Sequence, residues 1–260
     1  MTVQYASDLH LEMEANTQFL LCNPIKKAAD VLVLAGDITY LKESYLANKV
    51  LDQLSDTFEE VLMIPGNHEF YNFSSPIKNV FPYLEFKVRE NVTYFNNRVI
   101  VRDNIRILLT SLFSYVSEKK KWIIGELISD FHVSKYGDDP SEKFTVKQFN
   151  HCHEMSKQFL VDGLLDDFTG KTIVVSHHVP YPSYYIKDYP KFEHDLSEAF
   201  HVNMVPLMHN YKIDHWISGH SHINHPSFKI ENTMVHTNQL GYVARGENKS
   251  FNSSAVIELE

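Results

Sequence analysis

Val31-Leu32-Val33-Leu34-Ala35-Gly36-Asp37 is the stretch on which the fold turns. Five apolar residues in succession, closed by a glycine, are too few for a helix and read as a short buried strand that ends in a turn. Asp37 is the first polar side chain beyond that strand. The same arrangement recurs on either side. Residues 3–6 lead into Asp8-Leu9-His10, and Val61-Leu62-Met63-Ile64 into Pro65-Gly66-Asn67-His68-Glu69. Further along, Thr172-Ile173-Val174-Val175-Ser176 leads into His177-His178-Val179-Pro180, and His215-Trp216-Ile217-Ser218 into Gly219-His220-Ser221-His222. Each strand thus delivers metal-capable side chains to the loop that follows it.

The intervening segments supply the cover. Residues 42–58 carry apolar side chains at Tyr45, Leu46, Val50, Leu51, Leu54 and Phe58, close to a helical repeat that would pack on the sheet. A helix is also expected within residues 76–89, and short strands continuing the sheet at 92–95, 99–101 and 105–109. Lys119-Lys120-Lys121 opens a segment in which Trp122, Ile123, Ile124, Leu127, Ile128 and Phe131 recur at roughly helical spacing. Residues 137–142 read as a loop and 146–165 as a second helix. Together these make a helical cap insertion around residues 115–168, beside the catalytic mouth. Residues 195–209 read as helical, and 228–230, 234–237 and 254–259 as closing strands.

The 260 residues suffice for one domain spanning 1–260 with such an insertion, and no spacer rich in proline, glycine and serine divides them. A formal charge of −9 argues against a broad basic face for extended nucleic acid but leaves room for a small phosphate-bearing substrate. Cys22 and Cys152 are too few for a disulfide framework. With no secretion signal and no apolar stretch long enough to cross a bilayer, the expected setting is cytoplasmic, without membrane association. Nothing in the chain speaks to its oligomeric state.

Carboxylates suit hard divalent ions, and neutral imidazoles suit transition metals better than calcium. The mixture of Asp8, His10, Asp37, Asn67, His177, His220 and His222 therefore favours manganese, iron or zinc over an oxygen-only calcium site. Asp8 and His10 lie two apart, as do His220 and His222, so each pair would face one way on a strand or converge in a loop directly after it.

Asp8-Leu9-His10, Gly36-Asp37, Gly66-Asn67-His68-Glu69, His177 and Gly219-His220-Ser221-His222, in that order, resemble the motifs of the calcineurin-like metallophosphoesterase superfamily. The resemblance implies an α/β four-layer sandwich, two mixed β-sheets flanked by helices, with two divalent or mixed-valence metal ions at the strand ends. It implies that Asp8, His10 and His222 bind one metal, that Asp37 bridges both, and that Asn67, His177 and His220 bind the other. The expected reaction is phosphate-ester hydrolysis by a metal-bound hydroxide. The two metals, held together by the catalytic bridging Asp37, would with Asn67 neutralise charge on the non-attacking oxygens, and His68 would stabilise that developing charge or protonate the leaving oxygen.

Glu69 is expected to orient or electrostatically tune the His68 ring, simple solvation being the equal alternative, and His178 to sit beside the ligands, an ordinary structural role being the equal alternative. Tyr181 and Tyr184, with Tyr185 and Tyr189, are candidates to line a substrate pocket, loop packing being the equal alternative. The lysine run at 119–121 reads first as an exposed helix end. His132, His151, His153, His194, His201, His209, His225 and His236 lack motif support and are read as surface or packing residues. No arginine pair follows Gly66-Asn67-His68-Glu69, which lowers a phosphoprotein-phosphatase reading. The favoured substrate is a small or nucleotide-like phosphodiester. The alternatives are a phosphomonoesterase and a non-catalytic metal-binding interaction protein of the same fold.

Overall fold

In the computed structural model, which describes residues 2–43, 48–139, 141–186 and 196–259, the apolar runs become strands buried on both faces. The first half of the chain forms β1 (Thr2–Ala6), α1 (Glu14–Cys22), β2 (Val31–Leu34), α2 (Lys49–Thr57), β3 (Glu60–Met63), β4 (Leu84–Arg89), β5 (Val92–Asn96), β6 (Arg98–Arg102) and β7 (Ile105–Leu109). Three helices follow, α3 (Lys121–Leu127), α4 (Asp130–Val133) and α5 (Val146–Leu164). The chain then forms β8 (Lys171–Val175), α6 (Val205–Asn210), β9 (His215–Ile217), β10 (Phe228–Ile230), β11 (Thr233–His236) and β12 (Val256–Glu258).

The strands make two six-stranded sheets, ordered β12-β1-β2-β3-β5-β4 and β10-β11-β9-β8-β7-β6. In each sheet four central strands run parallel and an antiparallel strand closes either edge. Successive side chains of a strand point to opposite faces, so a continuously apolar strand needs cover on both. Val33 and Ala35 accordingly meet Ile107, Leu109, Ile173 and Val175 between the sheets. Leu32 and Leu34 face outward onto Leu20 of α1 and Val50, Leu51 and Leu54 of α2. On the far side Leu108, Val174 and Trp216 pack against Leu160 and Leu164 of α5 and Leu207 and Met208 of α6. The result is the four-layer sandwich of two mixed sheets flanked by helices.

Several expected elements change when pairing is taken into account. The helix read over residues 42–58 begins only at Lys49, because Asn48 Oδ1 caps it by accepting from the amides of Val50 (3.0 Å) and Leu51 (3.3 Å). Leu41–Glu43 is a 3-10 turn, and Tyr45 and Leu46 lie outside the described residues. Residues 76–89 hold only the short 3-10 turn Ile77–Val80 before β4, whose Leu84, Phe86 and Val88 alternate with exposed Glu85 and Lys87. That period of two, and pairing with β5, decide for strand. The three short strands after it do not continue one sheet, since β5 ends in the first and β6 and β7 belong to the second.

The helix expected from Trp122 to Phe131 is interrupted. Ile128 is extended, α3 stops before it and α4 starts after it, and Trp122 and Leu127 are exposed at 77% and 62% instead of packed. Residues 195–209 are not one helix either. Ser197–Ala199 is a 3-10 turn, His201 forms an isolated parallel bridge with Val179, α6 starts at Val205, and residue 195 lies outside the described residues. Of the closing strands, β10 and β11 join the second sheet while β12 returns to pair with β1. Helix α1 has little apolar periodicity to announce it. It is fastened instead through buried Asn16, whose Nδ2 donates to the carbonyls of Leu9 (2.9 Å) and Gly241 (2.8 Å). Among the described residues no helix is long and apolar enough to cross a membrane.

Candidate metal centre

Asp8, Asp37, Asn67, His177 and His220 each follow the carboxyl end of a parallel strand, where the backbone turns sharply. Asp8, His10, Asp37, His220 and His222 all hold left-handed backbone, with φ of 55°, 47°, 55°, 70° and 53°. Each such residue costs on the order of 1–2 kcal/mol, and strain concentrated in one cluster is characteristic of functional sites. Two glycines make room for it. Gly36 has φ +88°, and a Cβ there would lie 2.4 Å from His177 Nδ1; a Cβ on Gly66 would lie 2.2 Å from Asp37 Oδ1.

The loops bring the seven expected ligands together. Asp8, His10, Asp37 and His222 each place one ligand-type atom within 4.8 Å of the others, and Asp37, His177 and His220 do the same, so Asp37 belongs to both groups. Asn67 Oδ1 adds to the second group, 3.0 Å from His177 Nε2.

The donor set fits metal ions on the orientation of the rings. His10 Nδ1 contacts Glu12 Oε1 at 3.0 Å, His222 Nδ1 contacts Glu247 Oε2 at 2.6 Å, and His177 Nδ1 contacts the Ala35 carbonyl at 2.9 Å. Ionised carboxylates and carbonyls only accept, so each Nδ1 carries the proton and each Nε2 lone pair turns to the centre. Nε2 of His10 and of His222 then face each other at 3.0 Å. His177 Nε2 faces Asn67 Oδ1 and, at 3.3 Å, Asp37 Oδ1. Converging lone pairs repel unless positive charge lies among them.

Protons on the rings answer the same demand for positive charge. Burial drives the His222 ring down, but Asp8 and Glu247 outweigh it and raise the ring to about 10. Burial is likewise outweighed at His177, which Asp37 and Asp8 raise to about 9. At Asp37 burial pushes the carboxyl up, yet His177, His68 and His10 hold it well below the usual carboxylate range. His220 is displaced downward by burial and by neighbouring His178 and His177.

Asn67 is held from outside the cluster. Its Nδ2 donates to Asp130 Oδ1 (3.1 Å) and to the Tyr71 hydroxyl (3.0 Å), which turns the amide oxygen inward. Tyr71 also donates to Asp130, and its ring stacks on His68 at 4.1 Å. Asp130 starts α4, so the segment around residue 130 reaches the site.

Other site expectations are redistributed. Glu69 does not touch the His68 ring. Its fully buried carboxylate accepts from the amides of Asp37 (3.1 Å), Ile38 (2.8 Å) and Gly66 (2.7 Å) and from the Tyr94 hydroxyl (3.0 Å). Burial and the Asp37 charge raise it to about 7. The partner of His68 is Glu12, with the Tyr242 hydroxyl 3.1 Å from its Nε2. The signal available for Glu12 was the alternation Asp8-Leu9-His10-Leu11-Glu12, with Leu9 and Leu11 both buried. Tyr242 and Glu247 had no comparable signal.

His178 is fully enclosed, with both ring nitrogens unpaired among the described residues, and packs against His220 at 4.1 Å and Phe113 at 5.2 Å. Tyr181 and Tyr184 do not line the site. Tyr181 is buried in the outer core of the second sheet, its hydroxyl 2.7 Å from His225 Nε2, and Tyr184 is 76% exposed and stacked on Tyr185. Tyr189 and His194 lie outside the described residues. The 119–121 lysines are also absent from the site's walls.

A cavity of about 320 Å³ opens over the cluster, walled by Asn67, His68, Tyr71, Asp130, Phe200, Tyr242 and Arg245 among others. A larger open groove of about 900 Å³ lies where β1, β2 and β3 begin. There Lys27 pairs with Asp30 at 2.8 Å and Arg102 with Glu60 at 2.9 Å, and no histidine is present.

Comparison with known proteins agrees with this architecture. The uncharacterized protein L509 of Acanthamoeba polyphaga mimivirus is 28% identical over 277 positions, covering 99% of this chain and 96% of that protein. The phosphopantetheinyl hydrolase PptH of Mycobacterium tuberculosis shares the fold, with a TM-score of 0.65 at 17% identity, over 97% of this chain and 93% of that one. A dimetal phosphatase from Danio rerio aligns over 92% of this chain and 87% of its own, at 14% identity and a TM-score of 0.49. Residues 1–224 match the calcineurin-like phosphoesterase family, and that span takes in every one of the seven converging side chains. The chain therefore belongs to the calcineurin-like phosphoesterase family.

Proposed function

We propose that the protein is a two-metal hydrolase of small phosphate esters that prefers a compact, nucleotide-like phosphodiester. The observation that carries this reading is the place of Asp37 in both donor groups, one shared carboxylate between two ion positions beneath a cavity of about 320 Å³. Asp8, His10, His222 and Asp37 would hold one ion, and Asp37, Asn67, His177 and His220 the other, with manganese, iron or zinc suited to the mixed donors. Such a pair, when bound, supplies an activated water and neutralises phosphoryl charge.

The chain's own residues supply the rest. Glu247 and the Ala35 carbonyl hold the His222 and His177 rings with their lone pairs inward. Asp130 and Tyr71 hold the Asn67 amide with its oxygen turned toward the second ion position. His68 lines the cavity with its Nε2 beside the Tyr242 hydroxyl, a position from which it gives a proton to the departing oxygen. Residues 115–168 form the helical insertion, whose Ile128, Ser129 and Asp130 make one wall of the mouth. Free Cys22 and Cys152 support a reducing, cytoplasmic setting.

A phosphomonoesterase is the second reading, favoured by Arg245. Its guanidinium lies 4.7 Å from the Tyr242 ring centroid at the cavity wall, where it could meet the extra charge of a monoester dianion. The deciding experiment reconstitutes the protein with manganese, iron or zinc. It compares bis(p-nitrophenyl) phosphate, p-nitrophenyl phosphate, a cyclic nucleotide, a linear dinucleotide and DNA. A kcat/KM about tenfold or more in favour of a diester, equivalent to about 1.4 kcal/mol of transition-state binding, is expected. A monoester preference of that size sinks the diester reading. Stable metal binding without any turnover identifies a non-catalytic interaction protein.

A further inference from the structure

Glu12 lies beneath the site with its side chain only 1% exposed, and a single oxygen serves two histidines. Oε1 is 3.0 Å from His10 Nδ1 and 2.9 Å from His68 Nδ1, while Oε2 is buried with no partner among the described residues. The two rings meet edge to face, their centroids 4.4 Å apart. An ionised carboxylate only accepts, so both Nδ1 atoms must donate to it. That leaves His10 Nε2 directed at His222 and Asp37, and His68 Nε2 directed at the cavity and the Tyr242 hydroxyl.

His10, Glu12 and His68 are close enough to resemble a third ion site. The ring geometry excludes it. A neutral imidazole has one lone pair, and that of His10 is committed to the centre through Nε2, so its Nδ1 meets Glu12 as N–H.

We propose that Glu12 is a positioning residue that sets the tautomer and orientation of His10 and His68 together, tying the metal centre to the leaving-group acid through one buried oxygen. The assignment of those two roles rests on the two-metal phosphoesterase reading above. The hydrogen-bond relay itself stands on geometry alone. In the acid form His68 is protonated on both nitrogens, keeps Nδ1–H on Glu12 and gives the Nε2 proton to the leaving oxygen, returning to the Nδ1–H neutral ring. Without Glu12 that ring loses its hold and its orientation, and His10 loses the contact that aims its lone pair.

The test begins with the metal-free protein labelled with nitrogen-15 in its histidine rings, the His68 signal being identified by its loss in His68→Gln. At a pH where the ring is neutral, His68 of the parent protein is expected in the Nδ1–H form. The Nε2–H form there overturns the proposal, whatever any variant does. In Glu12→Ala the His68 signal is expected to move toward Nε2–H. With metal restored, the p-nitrophenyl and phenyl esters of thymidine 5′-phosphate are then compared. The phenyl ester, whose leaving group needs the proton more, is expected to lose roughly 10- to 100-fold in kcat, and the p-nitrophenyl ester clearly less.

Glu12→Gln keeps an oxygen at the same reach and is expected to restore the tautomer and most of the loss. If the alanine form does not fold, Glu12→Leu, which fills the same space without offering an acceptor, is the measured variant. A folded Glu12→Ala protein with unchanged ring signals and an unchanged ratio between the two esters overturns the proposal. Failure of the functional reading looks different, since the parent protein would then hydrolyse neither ester while its ring signals stayed as described.

Discussion

Asp37 is the residue on which the most geometry converges. Its carboxylate approaches His10 Nε2 at 3.8 Å and His177 Nε2 at 3.3 Å, and it accepts from the His68 amide at 2.8 Å. Asp37→Ala removes the shared ligand of both positions, so the reconstituted variant is expected to retain less than half of the parent's metal and to show no turnover. Elemental analysis after gel filtration checks the first, and a full complement of metal would contradict it. Asp130 acts one step further out. Asp130→Ala frees the Asn67 amide to flip and present its NH₂ inward, which is expected to lower kcat by roughly 10- to 100-fold, the usual range for a lost outer partner of a metal ligand. Full activity in a folded variant would show that Tyr71 holds Asn67 unaided.

Among the elements, the central strands such as β2 and β8 were legible because both of their faces are covered and their runs are largely apolar. The helices were less so. The apolar stripe of α2 was readable, but its first residue depends on the Asn48 cap, and Asn48→Ala is expected to cost about 1 kcal/mol in urea unfolding. An unchanged midpoint would mean that the turn before it, not the cap, fixes the start. In α5, Phe149 is fully buried against Phe113 at 5.1 Å and His178 at 5.8 Å. Phe149→Ala is expected to destabilise by about 3–5 kcal/mol. Because Phe149 packs on His178, which in turn packs on His220, the same variant should also weaken metal retention; loss of stability without loss of metal would separate this helix from the site. β4 was misread because a strand on a sheet edge with one polar face has the composition of a surface helix, and only its partner β5 distinguishes them.

The whole molecule couples stability to what the site holds. Ions that bind only the folded state stabilise it by about 2.7 kcal/mol at a hundred times their dissociation constant, so chelation is expected to lower the melting temperature and manganese or zinc to restore it. A melting temperature indifferent to both would argue against a structured metal centre. Acid acts through a different group. His236, stacked on His215 at 5.3 Å with its Nε2 3.0 Å from His215 Nδ1, is depressed to about 4, first by burial and then by the charges of His215 and His225. The unfolded chain takes up that proton near pH 6.5, so the stability from keeping the ring neutral is complete above about 6.5 and is lost as pH falls toward 4. The loss is on the order of 1–3 kcal/mol, and His236→Phe is expected to show a shallower decline over that window; parallel curves would place the acid sensitivity elsewhere. By itself the sequence determined the order of strand and polar loop and the seven side chains that meet, because apolar runs closed by glycine or proline are local signals. Only the tertiary structure decided which sheet β5, β6 and β12 join, that Glu12 and not Glu69 holds His68, that Asp130 orients Asn67 and that Tyr181 stays in the core. Those outcomes depend on contacts between distant residues, such as His68 with Tyr242 across 174 positions and Asn67 with Asp130 across 63, and no local period records them.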